Sequence, residues 1–165
     1  MAGGNYAMVL MVAQAGANVT YIPVGMIASR LGRKRTIQIG TLLLAGSFAS
    51  ALAFKSFSGL LFAFFALAGV AWAFINVNSY PMVVEMSRGA DVGRYTGYYY
   101  TFSMTAQIFT PVVSGWLMEH LGYHTLFPYA ALCVVASFVT MCFVKHGDAK
   151  PLPPKSRLEA FDVDD

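Results

Sequence analysis

Charged residues fall along this chain in narrow bands, and the stretches between the bands carry none. Asn5 to Ser29 holds no Asp, Glu, Lys or Arg, and neither do Thr36 to Phe54, Ser56 to Val84, Tyr95 to Met118 or Thr125 to Val144. Segments such as TLLLAGSFASALAF and GLLFAFFALAGVAWAF are apolar round the whole circumference of a helix, whereas a helix at a water surface keeps a polar stripe. A run of about 20 such residues crosses a hydrocarbon core roughly 30 Å thick. Strands of a membrane barrel would instead alternate in polarity over short segments. The pattern therefore predicts an all-α integral membrane protein with five transmembrane helices, near 6–28, 36–54, 59–81, 95–118 and 125–144.

Composition agrees with this reading. Of 165 residues 57% are apolar and 12% charged, about half the charged share of a soluble domain. The first residues lack the basic region of a signal peptide, and their apolar run outlasts an h-region. Cys133 and Cys142 share the last span, about 13 Å apart along its axis; they read as small packing residues, not as a disulfide or a metal pair.

The net charge of +3 gains meaning once the cations are sorted by side. With residue 1 outside, the inner segments carry Arg30, Arg33, Lys34, Arg35, Arg88, Arg94, Lys145, Lys150, Lys155 and Arg157, and the outer ones carry Lys55 alone. Short loops rich in Lys and Arg stay in the cytoplasm, so the N-terminus is expected outside and the C-terminus inside a cell membrane. An outer start followed by five spans leads to the expectation that further helices precede Met1. The tail, 147–165, with Pro151, Pro153, Pro154 and an acidic end, is expected to be extended and largely disordered.

Four cations crowd into the six residues Arg30 to Arg35, within Gly25-x-x-x-Ser29-Arg30-x-Gly32-Arg33-Lys34. This spacing resembles the loop signature of the major facilitator superfamily of transporters, Gly-x-x-x-Asp-Arg-x-Gly-Arg followed by Lys or Arg. The resemblance implies a cytoplasmic loop between the second and third helices or, in weaker form, between the eighth and ninth. Gly25 is expected to let helices approach, Gly32 to permit the turn, and the cations to face the anionic leaflet. Ser29 stands where the family has an acid, so a latch built on that charge is in doubt, and the weaker second copy fits better.

The segment is echoed by Gly115-x-x-x-Glu119-His120-Leu121-Gly122 on the outer side, as inverted repeats within a six-helix half require. The spans are then the eighth to twelfth helices, an incomplete C-terminal bundle. Pro81, Glu85 and the run Tyr95-Thr96-Gly97-Tyr98-Tyr99-Tyr100 resemble the tenth-to-eleventh helix region of sucrose-transporter-like and glycoside–cation symporters. That resemblance implies cation-coupled sugar uptake by alternating access, shared with an absent N-terminal half.

Polar residues at mid-depth in lipid need protein or a cavity to face. Gln14, Asn18 and Tyr21 share one face of the first span, and Trp72, Asn76 and Ser79 one face of the third. Asn78 lies about 200° from Asn76, so the two cannot enter one cavity. Tyr100, Ser103, Gln107 and Ser114 share a face of the fourth span. Amides and aromatic faces suit neutral sugars, and the resemblance places these helices around the central cavity, making Gln14, Asn18, Trp72, Asn76, Tyr100 and Gln107 candidate substrate contacts. Interhelical hydrogen bonding uses the same residue types and stays open as their role.

Glu85 ends the third span where Arg30 or Arg33 emerges, which predicts an ion pair stabilising an inward-closed state. No carboxylate lies within a span, so the coupling acid of a symporter must lie elsewhere. A drug-efflux antiporter, favoured by 9 Met and 13 Phe, and a non-transporting membrane scaffold remain alternatives. There is no nucleophile–base constellation, metal-ligand spacing or phosphate loop, so neither an enzyme nor a cofactor is expected. The basic residues are accounted for by threading, not by nucleic acid. Membrane lipid and a small-molecule substrate are the partners expected.

Overall fold

The computed structural model describes residues 3–52, 60–87 and 91–147. Among them every regular element is helical: α1 (Gly3–Leu31), α2 (Arg33–Leu52), α3 (Leu60–Glu85), α4 (Val92–Leu121) and α5 (Leu126–Phe143), with a short 3-10 turn at Tyr123–Thr125. Each helix occupies one of the five charge-free windows. Lys55, Arg88 and the tail from residue 148, invoked for threading and disorder, lie outside the described residues.

Among the described residues three segments are long and apolar enough to cross a membrane by length and composition: Leu10–Leu31, Phe62–Glu85 and Tyr123–Phe143. Over their described residues α2 and α4 do not reach that apolarity. Three cations open α2, and hydroxyls and amides such as Thr101, Ser103, Thr105 and Gln107 dilute α4.

Helix α3 is central, packed along both α1 and α2, while α2 also packs on α5 and α4 touches its neighbours only lightly. Small residues set the approach of α1 to α3. A methyl group at Gly69 would overlap the Ala13 carbonyl, and one at Gly16 would lie 3.1 Å from the Ala66 carbonyl oxygen. Gly40 plays the same part between α2 and α3, where a methyl would come within 2.7 Å of Phe74 Cβ. A methyl at Gly25 would meet nothing within 4 Å. The close approach expected at Gly25 is therefore not seen among the described residues.

Beside a small apolar core that includes Val24, Ile37 and Met82, the described residues bury several polar groups and expose many large apolar ones. Thr36, Thr41, Ser47 and Asn78 are buried, while Val19 and Ile22 are each 79% exposed and Phe102 and Phe143 each 75%. The buried hydroxyls and amide donate to carbonyls of their own helices, as Thr41 does to Gln38 and Asn78 to Phe74. Exposed apolar surface loses about 25 cal/mol per Å² in water and nothing in hydrocarbon, so this distribution fits a lipid solvent. Pro23, Pro81 and Pro111 lie inside α1, α3 and α4, where each removes one backbone hydrogen bond, as bundles in membranes tolerate.

Candidate functional site

Two places gather the residues singled out above. The first is an open groove of about 430 Å³ between α1 and α3, lined by Leu10, Met11 and Gln14 on one side and Ala68, Gly69 and Trp72 on the other. Ala13 and Gly69, whose close contact sets the approach of the two backbones, themselves line it. Gln14 Nε2 donates to Asn18 Oδ1 at 3.3 Å, so the two amides act as one polar strip one turn apart. Trp72 is 50% exposed and offers its indole to the groove.

The structure brings Gln14 and Trp72 into one groove, ties Asn18 to Gln14 outside the groove lining, and leaves the other candidates apart. Asn76 is exposed one turn beyond Trp72, whereas Asn78 is buried, which agrees with their opposite helical phase. Tyr100 and Gln107 sit on α4 and do not line the groove. Tyr100 packs against Tyr80 and Tyr99, with ring centroids 5.9 and 5.4 Å away, and Gln107 is exposed on a helix that buries no residue. Tyr21 packs on the small core of Ala17, Val24 and Ala73, and Ser79 donates to Ile75 O on its own helix. A second groove of about 390 Å³, lined by Val83, Met86, Tyr95, Tyr98 and Phe102 among others, separates the ends of α3 and α4.

The second place is the loop motif. Helix α1 ends as Gly32 N donates to Ala28 O at 2.9 Å, with Gly32 at φ 91, a left-handed conformation open to glycine at little cost. Thr36 then folds back on that glycine: its N–H and its Oγ1 both donate to Gly32 O, at 3.2 and 2.8 Å. The echo behaves in the same way. Gly122, at φ 94, donates to Met118 O at 3.1 Å, and Thr125 donates to Gly122 O through its N–H and its Oγ1, at 3.2 and 2.8 Å. The matched spacing thus ends both helices on a left-handed glycine at opposite ends of the bundle, with the threonine returning from four residues on at Gly32 and from three at Gly122.

Ser29, exposed beside Arg30, donates to Met26 O at 2.7 Å and carries no charge for a latch. Arg33 supplies one instead, its Nη2 lying 2.6 Å from Glu85 Oε1, with both side chains about one quarter exposed. Of the two arginines named as partners for Glu85, the geometry selects Arg33. Its Nε is buried without a hydrogen-bond partner. Lys34 does something no pattern announced: its Nζ donates to the carbonyls of Cys142, at 3.1 Å, and Val144, at 2.6 Å. A cation among the last carbonyls of a helix offsets their partial negative charge, so Lys34 ties the start of α2 to the end of α5. Two adjacent residues of the motif thereby fasten three helix ends together.

Residues 2–162 match the sequence profile of the Major Facilitator Superfamily. The chain belongs to the major facilitator superfamily. The members of that superfamily are transporters rather than enzymes, multi-pass proteins of the membrane that move small molecules. As a superfamily member the chain presents a partial, all-α version of the fold, and its glycine turn with Arg33 and Lys34 is where the loop signature lies. No curated protein and no solved structure matches the chain.

Proposed function

We propose that this superfamily member is the eighth-to-twelfth helix portion of a cation-coupled transporter of sugars or glycosides, completed by an N-terminal half. Membrane spans are assigned to all five helices, with the N-terminus outside and the C-terminus in the cytoplasm. The observation that carries the substrate reading is the groove between α1 and α3, where the Gln14 amide, hydrogen-bonded to Asn18 one turn away, lies in one wall and the Trp72 indole in the other. Amides exchange hydrogen bonds with hydroxyls without a charge to desolvate, and an indole face covers the apolar side of a sugar ring. The Arg33–Glu85 pair stabilises the state closed at its own end, and opening that end requires its rupture.

Leu10 and Met11 in the same groove favour a second reading, efflux of apolar cations, since Met-lined surfaces adapt to varied shapes. One titration separates the two. Trp116 lies on α4 against His120, away from the groove, so Trp116→Phe leaves Trp72 as the sole tryptophan of the detergent-solubilised chain, excited selectively at wavelengths where tyrosine does not absorb. Neutral disaccharides are expected to change its emission saturably, with Gln14→Ala weakening the effect about tenfold, the value of one to two hydrogen bonds. A response to lipophilic cations and not to sugars would transfer the assignment to efflux. No response to either would remove the groove as a substrate site.

A further inference from the structure

The end of the bundle that holds the loop motif carries more positive charge than it uses. Arg33 is paired with Glu85, Lys34 reaches the α5 carbonyls, and Arg94 lies over the Tyr98 ring while donating to its hydroxyl. Arg30 and Arg35 are exposed, and neither has an ion-pair partner among the described residues. Six cations (Arg30, Arg33, Lys34, Arg35, Arg94 and Lys145) face two carboxylates at this end, Glu85 and Asp91.

The complementary charge lies in the chain's own tail. Half of the eight acidic residues fall in the last seven positions, as Glu159, Asp162, Asp164 and Asp165, with no base among them. We propose that this acidic segment docks across Arg30 and Arg35 and covers the loop motif.

The exit of the chain from the bundle favours that return. The contact of Lys34 with the Val144 carbonyl places the end of α5 beside the loop. Gly147, at φ 81, then crosses the end of α3 so closely that a methyl there would lie 2.7 Å from Met82 O. The chain therefore leaves against Met82 and Met86 at the end of α3, the helix end that carries Glu85, instead of straight along the α5 axis. A coil of 12 residues, the separation of Gly147 from Glu159, spans roughly 20 Å, enough to return to a loop that begins within contact of the exit. Tethering at that length holds the acids at an effective concentration of about millimolar. Pro151, Pro153 and Pro154 fix φ along the way and lower the entropy lost on docking.

Anionic headgroups would offer the same arginines a similar charge, and the test separates the two occupants. The full chain, with Cys133→Ala and Cys142→Ala, is spin-labelled at Ser29→Cys and Val163→Cys and placed in zwitterionic nanodiscs. Docking predicts a narrow distance component, shorter than the roughly 22 Å of an unattracted 16-residue coil, that holds most of the population. It is lost when Glu159→Gln, Asp162→Asn, Asp164→Asn and Asp165→Asn are combined, in Arg30→Gln/Arg35→Gln, and in 1 M salt, where screening acts within about 3 Å. Equal distributions in the native and acid-neutralised chains would overturn the proposal. So would a short component that needs anionic lipid and survives neutralisation of the acids, which would make lipid the occupant.

Discussion

At the level of single residues, the Arg33–Glu85 contact is where charge and packing meet. Its 2.6 Å separation and partial exposure place it between a surface pair, worth about 0–1 kcal/mol, and a buried one, whose lone survivor is costly. The buried, unpartnered Nε of Arg33 moves it toward the second case on the arginine side. Glu85→Gln should therefore destabilise the chain by about 1 kcal/mol in detergent, because it strands a half-buried guanidinium. The double variant Arg33→Gln/Glu85→Gln should stand closer to the native stability than Glu85→Gln does. Denaturant titrations of the four members of this cycle measure the coupling, and strict additivity would mean that the two groups do not interact.

Between elements, the decisive quantity is how near two backbones come. α1 and α3 close on each other at Gly16 and Gly69, and α2 closes on α3 at Gly40, which is the small-residue packing that substitutes for hydrophobic collapse between helices in lipid. Gly69→Ala should cost about 1–3 kcal/mol by forcing the Ala13 backbone away. Gly25→Ala meets open space and should instead be neutral or stabilising by up to about 1 kcal/mol, since alanine is the better helix former. Thermal unfolding of the two variants, monitored by circular dichroism in one detergent, ranks them; equal losses would contradict the assigned contacts. The sequence made the signature glycine conspicuous, while the working glycines sit in ordinary apolar runs such as VAQAGANV, where only tertiary neighbours reveal their use. Lys34 was hidden for a related reason, because its partners are backbone carbonyls 108 and 110 residues away, and carbonyls leave no trace in residue type. The five helices were legible because lipid imposes one severe rule, absence of charge over 20 residues. Gln14, Asn18 and Trp72 were legible because helical phase alone puts each on a face. Tyr100 and Gln107 share a face by the same phase and were joined to them by the resemblance, but α4 packs too lightly on its neighbours to bring them to the same groove.

For the molecule as a whole, threading reduces to one binary choice. Arg33 bound to Glu85 and Lys34 bound to Val144 place the α1–α2 turn, the end of α3 and the end of α5 at a single end of the bundle, and the Gly122 turn closes α4 at the other. The Arg- and Lys-bearing loops of the described chain must then cross together or not at all. Transferring Arg30, Arg33, Lys34 and Arg35 through a bilayer opposes both the cost of charge in hydrocarbon and the transmembrane potential, about 2.3 kcal/mol per charge per 100 mV. The turn at Gly122 offers only Glu119, His120 and His124, with no Lys or Arg to retain it. Cysteines introduced singly at Ser29 and at Thr125, with Cys133→Ala and Cys142→Ala, should therefore differ in intact cells: a membrane-impermeant maleimide labels position 125 at once and position 29 after permeabilisation. The reverse pattern would invert the threading while leaving the helix contacts intact. Labelling of both positions without permeabilisation would mean that the cations at one end do not fix orientation, a result incompatible with retention of the basic loop as the force that sets it.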